Sequence, residues 1–172
     1  SGGAKEFNRM VMEMMTALAQ KRQKVRFVFA TGPRYYDEIA AQAKTAGIDG
    51  CANAEIYPYL YDMPLRMQAA DLVICRAGAS TVSELTALGV PAIMVPSPYV
   101  TNNHQEKNAR ALETHGGVEV LLEQDSSGQA LFQTAAGILH DDVRREAMAS
   151  AMAELGIRDA AQRIYETVQE LL

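Results

Sequence analysis

Cysteine and histidine are scarce in this chain, and their scarcity excludes several kinds of site. Of its 172 residues, two are cysteines, Cys51 and Cys75, and three are histidines. Two cysteines cannot form a disulfide framework, and neither they nor the histidines have the spacing of zinc ligands. We therefore expect a reduced, cytosolic compartment and no metal site within the chain.

Long apolar runs and an excess of basic charge are also lacking. No apolar run approaches the roughly 20 residues of a membrane-spanning helix, and no signal peptide is recognisable. The formal net charge is −5, which argues against a nucleic-acid partner. The nearest thing to a basic cluster, 21–26, is expected to end a helix, where cations complement the helix dipole.

Familiar catalytic motifs are absent as well. The sequence contains neither a Gly-x-Ser-x-Gly turn nor a Walker-type Gly-Lys-Ser/Thr run. No pairing of a nucleophile with a base stands out. These absences favour a ligand-binding half of a site over a complete active site.

The sequence does contain a regular alternation of strand-like and helix-like segments. Strands are predicted at 25–30, 55–57, 72–75, 92–95 and 118–122. Helices are predicted at 5–21, 34–46, 64–70, 80–88 and 103–114, and again beyond residue 127 with breaks near Asp141 and Gly156. This order predicts a single α/β domain over residues 1–172, with one parallel sheet and helices on both faces. The methionines of the first helix are predicted to form a core stripe.

The first residues, Ser1-Gly2-Gly3-Ala4, look like a strand-to-helix phosphate turn that has lost its strand. A parallel sheet that begins at its own first turn is incomplete. We therefore expect the chain to be part of a longer protein that supplies the first strand. The alternative is that Ser1-Gly2-Gly3 is a remnant of cloning.

The turn after the third strand carries the first candidate site. Gly78 allows a tight turn and a close approach of a ligand to the backbone. The helix start that follows, with the hydroxyls of Ser80 and Thr81, suits a phosphate or pyrophosphate. Glu84 allows two interpretations: it forms a capping box with Thr81, or its carboxylate accepts both hydroxyls of a ribose beside the phosphates.

The segment 101–108 carries the second candidate site. Asn103 and Glu106 fit a helix-capping pair. His104, Gln105 and Asn108 lie close together on the helix and form an amide and imidazole surface suited to sugar hydroxyls. The helix start is expected to favour the neutral ring of His104.

A third candidate site follows the second strand. The backbone N–H and C=O in the loop around Leu60 could pair with a planar base, with Tyr59 and Met63 packing beside it. The alternative interpretation is a surface loop held by aromatic anchors.

The string CRAGASTVSELTALGVPAIMVP, followed by SPYVTNNHQEKNA, strongly resembles the C-terminal domain of the MurG family in its Gram-positive form. These are the bacterial UDP-N-acetylglucosamine (UDP-GlcNAc) transferases of peptidoglycan synthesis. The resemblance covers essentially the whole chain. It implies a Rossmann-like fold that forms one half of a two-domain GT-B glycosyltransferase, with the UDP-GlcNAc donor bound by this half.

Site residues follow from the resemblance by matched position. It implies that Ser1 contacts the pyrophosphate, that the backbone of Leu60 reads uracil, and that Glu84 binds the ribose. It also implies that His104 and Gln105, a pair that is often Gln-Gln in the family, contact the GlcNAc hydroxyls. The predicted UDP-GlcNAc-binding residues are Ser1, Gly2, Leu60, Met63, Gly78, Ala79, Ser80, Thr81, Glu84, His104, Gln105 and Asn108.

The resemblance also implies which parts of the enzyme this chain lacks. The catalytic base and the lipid I-binding surface belong to the family's N-terminal domain, so no catalytic residue is assigned here. The parent enzyme would transfer GlcNAc to lipid I (undecaprenyl-diphospho-MurNAc-pentapeptide) in one inverting displacement, with UDP as the leaving group. It would work at the inner face of the cell membrane, with membrane contact only through the missing domain. Mg²⁺ or Mn²⁺ would assist the full enzyme, and this chain alone is expected to be inactive.

Three alternatives remain open from the sequence. The chain could be the donor-binding half of another UDP-sugar glycolipid glycosyltransferase. It could be a non-catalytic nucleotide-sugar-binding subunit that acts with a membrane partner. It could also be part of a UDP-sugar epimerase, which would need catalytic carboxylates and a histidine that the sequence does not place.

Overall fold

A computed structural model of the chain describes residues 4–20, 25–49 and 51–171. In chain order its elements are α1 (Lys5–Gln20), β1 (Phe27–Ala30), α2 (Tyr36–Thr45), β2 (Ala54–Tyr57), α3 (Met63–Gln68), β3 (Val73–Cys75), α4 (Ala79–Leu88), β4 (Ala92–Met94), α5 (His104–Thr114), β5 (Val118–Val120), α6 (Gly128–Leu139), α7 (Asp142–Glu154) and α8 (Ala160–Glu170). Short 3₁₀ turns occupy Pro33–Tyr35, Thr101–Asn103 and Glu123–Asp125. The predicted strands and helices are all found, with described ends that differ by about two residues, the usual uncertainty of element ends.

All strand pairs in the described chain are parallel, as predicted. Strand β1 pairs with β2, and β4 lies between β3 and β5. The prediction of one continuous sheet is wrong for the described residues, which form a two-stranded and a three-stranded sheet. None of the described strands hydrogen-bonds to both sheets.

Helices cover both faces of the three-stranded sheet, because successive side chains of β4 pack into different cores. Ile93 and the following Val95 belong to a core that also contains residues of α1, α2 and α6. Ala92 and Met94 belong to a second core, with residues of α4, α5 and α7. Since successive residues of a strand point to opposite faces, the two cores lie on opposite sides of the sheet.

Helix α1 supplies the methionine stripe predicted from the sequence. Met10, Met12, Met14 and Met15 are all buried in the first core, where α1 packs along α6. The stripe is therefore structural. Of the predicted basic cluster, residues 21–24 lie outside the described residues, and Arg26 pairs with Glu55 across the β1–β2 sheet.

Helix α8 differs from the other helices because every described residue from 160 to 171 is exposed. Its exposed apolar side chains include Ile164, Tyr165, Val168 and Leu171. Across residues 4–20, 25–49 and 51–171, neither α8 nor any other helix has the length and apolar character needed to cross a membrane.

Candidate functional site

The predicted polar residues gather where the strands of the parallel sheets end. The turn 76–78 follows β3, the loop 95–103 follows β4, and the loop 58–62 follows β2. In an open parallel sheet the carboxyl ends of the strands form the edge where ligands bind. The fold therefore places the first two candidate sites on one edge of the three-stranded sheet.

The start of α4 presents backbone N–H groups that the helix does not use. The first helical hydrogen bond runs from Val82 N–H to the carbonyl of Gly78, at 3.0 Å. The N–H groups of Ala79, Ser80 and Thr81 precede it, so they have no acceptor one turn earlier in the helix. Such groups, with the positive end of the helix dipole, suit a phosphate.

Gly78 is the N-cap residue of α4 and leaves the space beside it open. Its φ of −69° and ψ of 150° are accessible to any residue, so backbone conformation does not require glycine here. A Cβ added at this position would meet no atom within 4 Å. The open space is consistent with the expected close approach of a ligand.

Glu84 lies further along α4 and is exposed. The predicted capping box of Thr81 with Glu84 is wrong, because the helix begins at Ala79 with Gly78 as its N-cap. Within the described part of the chain, the Glu84 carboxylate has no hydrogen-bond or salt-bridge partner. It is therefore available to accept hydrogen bonds from a ligand.

The segment before α5 has an unusual backbone. Asn102 and Asn103 both have positive φ angles, 55° and 51°, in the left-handed region that asparagine tolerates better than most residues. The predicted capping pair forms only in part. Asn103 is the N-cap, but its side chain donates to the Glu106 carboxylate and caps no backbone N–H. The reason is its left-handed geometry, since a capping side chain normally extends from a β-region residue.

His104, the first residue of α5, has a defined ring orientation. Its Nδ1 lies 2.9 Å from the carbonyl oxygen of Thr101. A carbonyl only accepts, so Nδ1 carries the hydrogen, and Nε2 of the neutral ring is then an acceptor. His104 is exposed. In its neutral form this side chain can accept one hydrogen bond from a ligand hydroxyl through Nε2.

Gln105 and Asn108 each contact a neighbouring loop. The Oε1 atom of Gln105 accepts a 3.0 Å hydrogen bond from Ser97 N–H, and Nδ2 of Asn108 donates to the carbonyl of Ala77 at 3.2 Å. Both side chains are half-buried. The other amide atoms, Nε2 of Gln105 and Oδ1 of Asn108, have no hydrogen-bond partner among the described residues, so they are available for the predicted contacts with a sugar.

The loop after β2 has a buried Leu60 between two exposed tyrosines. The rings of Tyr59 and Tyr61 meet edge to face, with centroids 4.9 Å apart. Among the described residues, nothing in the protein hydrogen-bonds to the backbone N–H or C=O of Leu60. Those groups are the ones predicted to read a base. Met63, at the start of α3, is partly buried against the second core, and its packing beside a base stays a prediction.

Ser1 and Gly2, the predicted pyrophosphate contacts, lie outside the described residues. The described chain begins at Ala4, directly before α1 (Lys5–Gln20). Their role stays a prediction.

Two features beside these residues were not predicted as part of the site. One is a pocket of about 200 Å³, lined by Pro96, Ser97, Pro98, Asn103, Glu106, Leu122, Glu123 and Gln124. It adjoins the start of α5 but contains none of the predicted ligand contacts. The other is Arg76, in the turn after β3, which hydrogen-bonds to the loops after β4 and β5. The only signal in the sequence was a lone arginine directly after a buried strand.

Comparisons with known proteins identify the family of the chain. Residues 1–164 match the glycosyltransferase family 28 C-terminal domain. The chain is 44% identical over its full length to the UDP-N-acetylglucosamine–N-acetylmuramyl-(pentapeptide) pyrophosphoryl-undecaprenol N-acetylglucosamine transferase of Acetivibrio thermocellus, and 40% identical to the corresponding transferase 1 of Bacillus cereus. It spans 46% of each relative, about half their length.

A solved structure supports the same relationship. The crystal structure of MurG from Acinetobacter baumannii superimposes with a TM-score of 0.79 at 27% identity, over 98% of this chain and 49% of that one. The predicted family resemblance and fold class are confirmed.

Proposed function

Because the chain belongs to the glycosyltransferase family 28 C-terminal domains, we propose that it binds the UDP-GlcNAc donor of a longer, inverting glycosyltransferase. That protein would transfer GlcNAc to lipid I, the acceptor class contained in the names of its relatives. The observation that carries the donor assignment is Glu84, an exposed and unpaired carboxylate on the helix whose start presents free N–H groups.

The nucleotide is held along α4 in this proposal. The N–H groups of Ala79, Ser80 and Thr81 bind phosphate oxygens, and the Glu84 carboxylate accepts both ribose hydroxyls. A carboxylate has enough lone pairs for two hydroxyl donors. Phosphate and ribose are neighbours in every nucleotide, so the short separation of the two groups along one helix suits them.

The uracil and the GlcNAc of the donor are bound by separate segments. The free backbone groups of Leu60 pair with uracil, beside the tyrosine rings. His104 accepts from one GlcNAc hydroxyl through Nε2, and Gln105 donates to another through its amide nitrogen. Ser1 and Gly2 are proposed to contact the pyrophosphate.

The contribution of this domain to the reaction is to stabilise the leaving group. When the acceptor hydroxyl attacks the anomeric carbon, negative charge develops on the pyrophosphate of the departing UDP. Oriented N–H groups at a helix start stabilise such charge without reorganising. The base that activates the acceptor, and the contact with the membrane at its cytoplasmic face, are proposed to belong to the half that the relatives have in addition.

Mg²⁺ or Mn²⁺ is proposed to assist the full enzyme, as the family resemblance implies. The described residues contain no group of three or more His, Cys, Asp or Glu side chains that could hold a metal ion. Their donor set therefore does not fit a resident ion, and we assign no metal ligand to this chain.

Calorimetric titration of the 172-residue chain with UDP-GlcNAc, UDP-glucose and UDP-GalNAc tests the proposal. We expect UDP-GlcNAc to bind, and Glu84→Ala to weaken its binding about tenfold or more, the range for lost hydrogen bonds to a charged group. Glu154→Ala, which removes another exposed helical carboxylate, is the matched control and should leave affinity unchanged. If Glu84→Ala lowers only the melting temperature, Glu84 is structural and the proposed site is wrong.

A further inference from the structure

Arg76 lies at the centre of contacts that join the loops at the carboxyl ends of β3, β4 and β5. Its Nη1 donates to the carbonyl oxygens of Val95 and Pro96, at 3.0 and 3.2 Å. Its Nη2 donates to the carboxylate of Glu123. The guanidinium also lies over the ring of Phe7 in α1, 5.1 Å from the ring centroid.

The side chains of Arg76 and Glu123 are enclosed, with exposed fractions of 16% and 6%. An arginine withdrawn from water this far is costly unless it is paired, and Glu123 supplies the compensating charge. The donors of the guanidinium are directed at protein groups on several sides. Arg76 is therefore placed to connect protein segments, and its fork is not offered to a ligand.

Two further hydrogen bonds close these contacts into a ring. Gln105, from the first turn of α5, accepts from Ser97 in the loop that Arg76 holds, and Asn108 of the same helix donates to Ala77, the residue after Arg76. The turn 76–78, the loop 95–97 and the start of α5 are thus joined pairwise. The ring connects the start of α4 to the start of α5.

We propose that Arg76 is a positioning residue that holds the starts of α4 and α5 at the separation that a nucleotide-sugar requires. This inference rests on the proposed function, in which the nucleotide binds at α4 and the sugar at α5. A ligand that contacts both helix starts depends on their separation. A ligand that contacts α4 alone does not.

The test compares UDP with UDP-GlcNAc binding in the wild-type chain, Arg76→Met and Arg76→Lys. We expect Arg76→Met to weaken UDP-GlcNAc binding about tenfold and UDP binding less than about threefold, since one set of sugar contacts is lost. Lysine retains the charge but not the planar fork. Arg76→Lys should therefore not restore the difference between UDP-GlcNAc affinity and UDP affinity that the wild-type chain shows. Arg145→Met is the control, because Arg145 is similarly enclosed and bonds to Asp142 and to the Leu139 carbonyl on α7 and α6.

A measurement without ligand distinguishes failure of this inference from failure of the proposed function. Hydrogen exchange of the Ser97 amide should accelerate about tenfold in both Arg76 variants and stay unchanged in Arg145→Met, because loosening the loop exposes that N–H. Unchanged exchange, equal loss of UDP and UDP-GlcNAc affinity, or full rescue by lysine would each overturn the positioning role. A wild-type chain that binds neither ligand would refute the proposed function and with it the donor part of this inference. If Arg76→Met does not fold, the same affinities and exchange rates are measured in Arg76→Lys, which is the milder change.

Discussion

Glu84 is available to a ligand because Gly78, three residues before Thr81, is the N-cap of its helix. A capping box would have tied its carboxylate to the backbone. Gln105 and Asn108 illustrate the reverse. Amide side chains suit sugar recognition, yet each of these two uses one polar atom in a hydrogen bond to a neighbouring loop. At the scale of a residue, what an atom can offer a ligand depends on which bonds the fold has already made.

The two cysteines are expected to differ sharply in reactivity. Both thiols belong to half-buried residues, but desolvation by the apolar second core raises the pKa of the Cys75 thiol to about 12. At pH 8 only roughly one Cys75 thiol in ten thousand would then be ionised, and the thiolate is the reactive form. Titration of the native chain with a thiol reagent should show one fast thiol, lost in Cys51→Ser and retained in Cys75→Ser. Two fast thiols would contradict the raised pKa of Cys75.

The same pKa shift predicts a pH dependence of stability. The folded-state pKa of Cys75 lies above the ordinary thiol value, so its contribution to the free energy of unfolding is present below about pH 9 and is lost as the pH rises toward 12. Cys75→Ala should flatten this part of the stability profile, measured by urea unfolding at each pH. Equal slopes in the two proteins would show that other groups cause any alkaline loss.

In the proposed function, the starts of α4 and α5 are the elements that contact the ligand. Neither α4 nor α5 has a side chain capping its first turn, although residues near both fit the capping pattern. By contrast, Ser127 caps α6 and Asp141 caps α7, at the other end of the chain. The uncapped starts lie at the predicted ligand edge, where free N–H groups are useful to a phosphate or sugar oxygen.

Packing between α1 and α6 gives an element-scale prediction. A Cβ added at Gly128 would lie 2.2 Å from Glu13 Cβ and 2.9 Å from the backbone oxygen of Met10, so Gly128→Ala forces the helices apart. We expect it to lower the free energy of unfolding by about 1–3 kcal/mol, the range for overpacking.

Gly137, in the same helix, is the matched control. A Cβ there would meet only Arg144 Nη1, at 4.0 Å. Gly137→Ala should stabilise the chain by about 0.5–1 kcal/mol, because alanine is the better helix former. Urea unfolding measures both variants. Similar effects of the two substitutions would contradict the close contact of α6 with α1.

At the scale of the molecule, two cores on opposite faces of the sheet stabilise the chain, and α8 adds little to either. Every described residue of α8 is exposed, whereas α7 buries Met148 and Met152. Deleting 160–172 should therefore change the free energy of unfolding by less than about 1 kcal/mol, as exposed residues usually do. Urea unfolding checks this.

The control is a longer deletion, 142–172, which also removes the two buried methionines of α7. Each such loss costs about 2–5 kcal/mol, so this variant should be severely destabilised. Equal destabilisation by both deletions would show that α8 packs on the core after all.

Most of the fold could be predicted because its signals are local. These signals are the apolar period of α1, the short apolar strands, and the glycines that end α2 and α4. Gly47 and Gly89 have φ angles of 70° and 68°, which few other residues adopt. The division into two sheets could not be predicted, because strand pairing depends on residues far apart in the chain. The two capping pairs failed for different reasons. Thr81 and Glu84 fit the pattern, but the helix begins earlier, at Ala79. Asn103 does precede its helix, but its left-handed backbone directs the side chain away from the backbone N–H groups.

The sequence by itself determined the α/β class, the order of elements, the family resemblance and the candidate residues, since these depend on local periodicity and on residue types at fixed spacing. Only the tertiary structure decided which candidates still have free polar atoms. It also decided that the hydrogen bonds of Arg76, Gln105 and Asn108 join positions that lie between 8 and 47 residues apart in the chain. The physical reason is that a hydrogen bond satisfied inside the protein is closed to a ligand, and its partner is chosen by how distant segments pack.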